Sequence, residues 1–262
     1  MIGSIQFISR EQNVDLSMAL RKVKRIRVLY LLDVGSKGDS IIMKCFDISD
    51  WQDYFTTEEQ FKQAKEQGYD VVIVKLGESY NETECCRKQI LNAINAGLKV
   101  GVYYFSHAYD LTECAYEANW VINKLSEIGL TPWHLQAGIW YDYEDHTRLR
   151  SHINNGNLSY QDITNIMCEF VNRLNNAGWD FVGIYSGYSL LWDETYMYSQ
   201  VPWVPIWVAQ YNSTCDYPNP YMWQYSDRGD VCGHEMDVSE VLKAPWENNK
   251  KKCNCGCDCC SK

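Results

Sequence analysis

The chain has 262 residues, enough for one sizeable core, and its 46% hydrophobic and 22% charged content is that of an ordinary globular protein. A net charge of −10 excludes the basic face that nucleic acid requires and argues against bulk electrostatic attachment to anionic lipid or wall polymers. No apolar run reaches the roughly 18 residues of a membrane-spanning helix, and Val28-Leu29-Tyr30-Leu31-Leu32 is too short for a signal-peptide core.

Residues 1–42 stand apart in charge. They hold 7 Lys/Arg against 4 Asp/Glu, whereas the remainder holds 17 against 30. One helix is expected near residues 15–30, followed by GSKGDS. Lys37-Gly38-Asp39 can be encoded by a strong bacterial ribosome-binding sequence, shortly before Met43. The expectation is therefore that translation starts at Met43 and that residues 1–42 are not part of the domain; the alternative is a genuine N-terminal extension.

From Met43 to Trp246 strands and helices alternate. Apolar runs predict strands at 43–48, 70–76, 99–105, 137–143 and 181–187, and helix-period stretches lie between them at 57–67, 82–96, 111–128 and 159–177. Gly97, Gly129 and Gly178 read as helix C-caps. After residue 187 no further helix is expected, only strands at 205–211 and 221–226. The pattern predicts an α/β fold: a single TIM-like (β/α) barrel over residues 43–246, with incomplete helices in its C-terminal part.

Seven cysteines scattered through the body lack CxxC spacing and read as reduced, partly buried thiols. Residues 247–262 form a polar tail carrying Cys253, Cys255, Cys257, Cys259 and Cys260. Such a run binds a soft metal, forms disulfides after release to an oxidising exterior, or does nothing specific.

The predicted strands end in polar groups: Asp47 and Asp50, Lys75 and Glu78, Tyr104 and His107, Asp142, Glu144 and Asp145, then Ser186 and Tyr188. In a parallel barrel those ends converge on the face that holds the active site. Asp142-Tyr143-Glu144 is the centre of the pattern. Residues i and i+2 of a strand share a side, about 6.6 Å apart along the chain. Two carboxyls held so closely cannot both ionise easily, and the one whose pKa rises becomes a usable general acid. Glycoside hydrolysis needs that pairing, although the spacing does not choose between retention and inversion. Asp47 also reads as a helix cap or turn residue, and Asp237 as a cap after a strand. His107 and His134 lack partners at metal-ligand spacing, so no metal site is expected in the barrel. The 10 Trp and 19 Tyr suit a cleft that stacks on sugar rings, or equally a tyrosine-rich core and surface.

Taken in order, these segments resemble glycoside hydrolase family 25, the Chalaropsis-type lysozymes of bacteria and their phages. FDISDWQ (46–52), VIVKLGES (72–79), GVYYFSHA (101–108), IWYDYED (139–145), GIYSGYSLLW (183–192), PIWVAQY (205–211) and MWQYSDRGDVCGHEMDVSE (222–240) match the family's blocks. The resemblance covers nearly all of residues 44–242. It departs at Tyr104, where the family usually has His, at Lys75-Leu76-Gly77-Glu78-Ser79, and at Met236-Asp237-Val238-Ser239. No carboxylate is lost at these positions.

The resemblance implies a barrel with incomplete helices and hydrolysis of the β-1,4 bond between N-acetylmuramic acid and N-acetylglucosamine, with no metal or cofactor. Glu144 would be the general acid/base. Asp142 would either stabilise the developing positive charge or position the substrate's own acetamido group as nucleophile. Asp47 and Asp237 would line the same cleft, and Glu78, Tyr104, Trp207, Gln210 and Trp223 would contact the sugar. The expected partner is bacterial peptidoglycan and the expected state a monomer. Without a signal peptide, the enzyme would be made in the cytoplasm and released to the wall like an endolysin, or exported by a non-classical route. The alternatives are a glycosidase for another N-acetylated polymer such as chitin, and a non-catalytic sugar-binding protein on the same fold.

Overall fold

The computed structural model describes residues 42–144 and 146–244. The expectations for residues 1–41 and for the cysteine tail lie outside the described residues, as does Asp145. The chain runs β1 (Met43–Ile48), α1 (Glu58–Glu66), β2 (Tyr69–Glu78), β3 (Asn81–Glu82), α2 (Cys86–Asn95) and β4 (Lys99–Phe105). It continues through α3 (Leu111–Ile128), β5 (Ile139–Asp142), α4 (Thr147–Asn154), α5 (Tyr160–Asn176) and β6 (Val182–Gly187). It finishes with α6 (Met197–Gln200), β7 (Ile206–Ala209), β8 (Met222–Val231) and β9 (His234–Val241).

Local chemistry sets the helix ends. Thr57 and Gln60 form a reciprocal capping box that starts α1, and Ser159 and Asp162 do the same for α5. Asp110 accepts from the amides of Thr112 and Glu113 to start α3, which Gly129 ends at φ 81°, a left-handed position that glycine occupies without strain. The long α3 and α5 pack against each other on the outside of the sheet.

The strands hydrogen-bond in the order β1-β9-β8-β7-β6-β5-β4-β2-β3, and an additional β1–β2 pairing closes the ring. Eight strands thus make a closed barrel, with β3 a short appendage of β2. It is mixed rather than all-parallel: β9 runs antiparallel to both β1 and β8. The β8–β9 hairpin turns at Cys232 and Gly233, both at positive φ (55° and 83°), as a tight two-residue turn requires. Between β7 and β8 there is no helix, and between β6 and β7 only a π-turn (Leu190–Glu194) and the one-turn α6. Incomplete helices are therefore found where the sequence predicts them. Four features differ from the sequence reading: α4 is an additional helix, the one-turn α6 lies in a stretch where no helix is expected, the 82–96 stretch divides into β3 and a shorter α2, and β9 is a strand.

Two apolar layers hold the barrel. Inside it are Cys45, Val71, Ile73, Ala137, Trp140, Tyr185, Trp207, Met222 and Val241. Outside, between sheet and helices, a larger cluster includes Phe46, Val72, Val74, Val102, Tyr104, Tyr141, Phe170 and Ile184. Small inward positions make room for the large rings. A Cβ on Gly183 would lie 2.5 Å from the Trp140 ring and 2.7 Å from the Pro205 carbonyl. Each strand alternates between the layers, so the step of two along the backbone decides which side chains reach the mouth.

Candidate active site

The inward alternation of β1 runs through Met43, Cys45 and Asp47, and that of β5 through Trp140 and Asp142, continuing to Glu144 just past the strand. Both place carboxyls at the C-terminal end of the barrel above a floor of Trp140, Trp207 and Tyr185. Asp237 arrives from the other direction. It lies inside β9 and pairs directly across from Asp47, so it is not the cap residue its sequence context allowed.

The four acids Asp47, Asp142, Glu144 and Asp237 act on one another electrostatically, so they share one site. Asp142 is 4% exposed. Burial first, then the charge of Glu144 and a hydrogen bond to it, pushes its pKa well above the ordinary carboxylate range. Glu144 is raised as well, by burial, while its hydrogen bond from Asp142 works against the rise. A hydrogen bond between two carboxyls needs a proton, and the upward shift of Asp142 favours keeping one on the pair. Asp142 keeps one orphan: its Oδ1 is buried without a hydrogen-bond partner. Asp47 and Asp237 form a second interacting pair. Burial and the charge of Asp237 push Asp47 well up, and burial and the charge of Asp227 push Asp237 to about 6.

Gln224 fixes the second pair. Its Nε2 donates to Asp47 Oδ2 at 2.9 Å, and its Oε1 accepts from the hydroxyls of Tyr185 (2.8 Å) and Tyr211 (3.1 Å). Lys75, facing inward from β2, bridges Asp50 (3.3 Å) and Glu78 (3.0 Å). Its positive charge favours ionised Asp142, but burial and the charge of Glu144 outweigh it. Glu78 therefore stands at the rim of the mouth, held by Lys75.

The aromatic and amide residues expected to contact sugar divide differently. Tyr104 is fully buried in the outer layer, where its hydroxyl accepts from the Tyr80 amide at 3.2 Å and its ring packs 5.3 Å from Trp120. Its neighbour Tyr103 faces the acids instead, and the charges of Asp47, Asp142 and Asp237 add to the burial that raises its hydroxyl. Trp223 also packs outward, and its indole N–H donates to the Gln210 carbonyl. Trp207 faces inward but is 1% exposed, bonded to Ser239 Oγ at 3.0 Å, which makes it floor rather than wall. The Gln210 side chain holds the loop after β7 by exchanging hydrogen bonds with Asp216. Sequence reasoning does not single out Gln224, Tyr103, Tyr185 or Tyr211, although Gln224 lies one residue beyond Trp223 in the same block.

Beside Glu144 opens a cavity of about 310 Å³, lined also by Arg150, Gly187, Tyr188 and Ala209. Among the described residues no group of three or more His, Cys, Asp or Glu side chains is placed to hold a metal ion, and no helix is long and apolar enough to cross a membrane.

The model for glycosyl hydrolases family 25 matches residues 46–234, most of the chain and all of the carboxyl-bearing elements up to the β8–β9 turn. The chain belongs to glycosyl hydrolase family 25. An autolytic lysozyme of Clostridium acetobutylicum is 31% identical over 176 residues, covering 66% of this chain and 48% of that protein. The chain thus spans about half the length of the curated relative that it matches. The modular autolysin LytC from Streptococcus pneumoniae superposes with a TM-score of 0.65 at 25% identity, over 78% of this chain and 47% of that one. The catalytic domain of the endolysin ply40 from a Listeria monocytogenes bacteriophage superposes at 0.62 with 18% identity, over 81% of this chain and 98% of that one. At that identity the likeness is one of fold. The irregular, mixed barrel described above is thus the family 25 barrel.

Proposed function

We propose that this chain is a muramidase that cleaves the β-1,4 bond between N-acetylmuramic acid and N-acetylglucosamine in bacterial peptidoglycan. The observation that carries the reading is the Asp142–Glu144 pair: two interacting carboxyls on one side of a strand end, Asp142 buried and Glu144 half-buried, at the edge of a cavity of about 310 Å³. Glu144 is the more accessible of the two and lines that cavity, so it delivers the proton to the leaving oxygen and later recovers one from water. Burial shifts its pKa upward, the direction a general acid needs, although the hydrogen bond from Asp142 works against it.

Asp142 has a different part. Its orphan Oδ1 is an acceptor that costs stability in the folded protein, on the order of 1–3 kcal/mol. A substrate acetamido N–H bonded there would aim the acetamido oxygen at the anomeric carbon, so that the substrate supplies its own nucleophile. Asp47 and Asp237, fixed by Gln224, add negative potential across the mouth as positive charge develops on the sugar. The lysozyme and autolysin names of the relatives support the same substrate class.

The test is to digest purified cell walls with the full chain and reduce the products with borohydride. Muramicitol as the new reducing-end product supports the proposal. Glucosaminitol alone would mean cleavage of the other glycosidic bond, and unchanged walls would mean that the chain is not a wall glycosidase.

A further inference from the structure

Among the residues lining the cavity beside Glu144, Arg150 is the cation. It projects from α4, and one guanidinium nitrogen donates to Glu194 Oε1 at 2.7 Å. Glu194, on the π-turn after β6, is largely buried, its side chain 17% exposed. An arginine fork carries five N–H donors in one plane, so a partner fixed at one edge orients the rest of the group. The same arginine also lines a wider, shallower groove of about 660 Å³, which runs along α4 past His146, Ser151 and Asn154. Arg150 therefore stands where the cavity beside the proton donor meets the open groove.

The surroundings make a cation there consequential. Asp47, Asp142, Glu144 and Asp237 crowd the mouth, and the whole chain carries −10. An anionic sugar entering the cavity meets repulsion that a neutral sugar does not. We infer that Arg150 is a specificity residue that pairs with a carboxylate carried on the sugar bound beside Glu144, Glu194 acting as its positioning partner. This rests on the muramidase reading and deepens it, because N-acetylmuramic acid differs from N-acetylglucosamine by a lactyl ether that ends in a carboxyl. In peptide-free glycan the lactyl group is itself the anion. In peptide-bearing glycan the lactyl carboxyl is an amide and the carboxylates lie further out, along the stem, in the direction of the α4 groove.

The experiment compares kcat/KM on peptide-free muramyl glycan oligomers, on the same oligomers with the lactyl carboxyl methyl-esterified, and on peptide-bearing oligomers. Wild type, Arg150→Met and Arg150→Lys are assayed at low and high salt. For wild type the acid is expected to be preferred over the ester by roughly 10- to 100-fold, the scale of a charge-assisted hydrogen bond. Arg150→Met brings that ratio close to one, and Arg150→Lys keeps part of it with a steeper salt dependence. A loss of fold or of general activity lowers both rates and leaves the ratio unmoved, which would overturn the assignment. So would a wild-type ratio near one on the peptide-free pair, unless the peptide-bearing oligomer is preferred and that preference falls with Arg150→Met, which places the anion on the stem. If wild type cuts none of the oligomers, the muramidase reading fails and takes this inference with it. If it cuts all three alike, only the role of Arg150 is overturned.

Discussion

Asp47 and Asp237 face each other across the antiparallel β1–β9 pair, both directed into the barrel above the Trp207 floor. A cross-strand pair of like charges is ordinarily destabilising. Here it persists because burial and the charge of Asp237 raise the pKa of Asp47, so that the pair carries less than two full charges, and because Gln224 donates to Asp47. The arrangement serves the site at the expense of the fold, and its pH dependence follows directly.

A carboxyl whose pKa is raised in the folded state binds protons more tightly there than in the unfolded chain. Its contribution is therefore largest below the unfolded value of about 4 and is lost as pH rises through the folded value. With Asp237 at about 6, and Asp47, Asp142 and Glu144 raised in the same direction, stability is expected to fall between about pH 4.5 and pH 7.5. The salt-bridged Glu82, lowered to about 2 by Arg87 and Lys124, acts in the opposite sense, but only below that window. Asp237→Asn removes the charge and keeps hydrogen-bonding capacity. At pH 7.5 it should raise stability on the order of 1 kcal/mol, after allowance for the partial exposure of Asp237, and flatten the pH dependence. Denaturant titrations at about pH 5 and pH 7.5 test this; a variant less stable than wild type at the higher pH contradicts it.

The opposite orientations of Tyr104 and Gln224 separate structure from chemistry. Tyr104→Phe removes one hydrogen bond, to the Tyr80 amide, in the outer layer. It should cost about 1 kcal/mol of stability and leave kcat/KM within about twofold of wild type. Gln224→Leu leaves Asp47 and two tyrosine hydroxyls without their shared partner, and should lower kcat by roughly 10-fold or more. Steady-state rates on wall substrate decide between the two; a Tyr104 variant that loses activity while remaining folded would place that ring at the substrate after all.

Behind β5 lies a buried triangle. Glu117 of α3, 2% exposed, takes the Tyr141 hydroxyl at 2.6 Å and Ser106 Oγ at 2.8 Å on one oxygen, and the His107 amide at 2.9 Å on the other. It ties the ends of β4 and β5 together one residue before Asp142. Glu117→Gln can keep this pattern, because the hydroxyls are able to accept from its amide, and should cost about 1 kcal/mol. Glu117→Ala leaves the three donors unmatched and opens a cavity, and should cost about 3 kcal/mol or more. Thermal melts of the two variants check the difference; equal losses would mean that the carboxylate itself, rather than its hydrogen bonds, holds the triangle.

Much of the barrel can be read from the chain because its signals are local. Met43–Ile48, Lys99–Phe105 and Leu111–Ile128 have the boundaries that the sequence predicts, each set by an apolar run or by a cap. The carboxyl cluster is legible for a related reason: acids ending apolar strands have few structural explanations. Which side of a strand faces the barrel is harder to read, and the physical cause is clear. Both sides of these strands are buried, one in the barrel and one under helices, so hydrophobicity does not distinguish Tyr103 from Tyr104 or Trp223 from Gln224. Counting in steps of two from Asp47 or Asp142 along β1 and β5 identifies the inner side, but neighbouring strands need the register, which only the paired sheet supplies. The strand β9 escapes sequence reasoning because HEMDVSEV alternates charged and apolar residues over a short stretch that also reads as a capped turn.

The central claim is that Glu144 is the proton donor, and Glu144→Gln tests it most directly. The substitution keeps the shape and removes the transferable proton. Hydrolysis of purified walls by the variant, with folding verified by circular dichroism, is expected to fall by at least about 100-fold across the pH range. A folded Glu144→Gln protein that clears walls at a rate within a few-fold of wild type would contradict it, and the proton would then have to come from another group at the mouth.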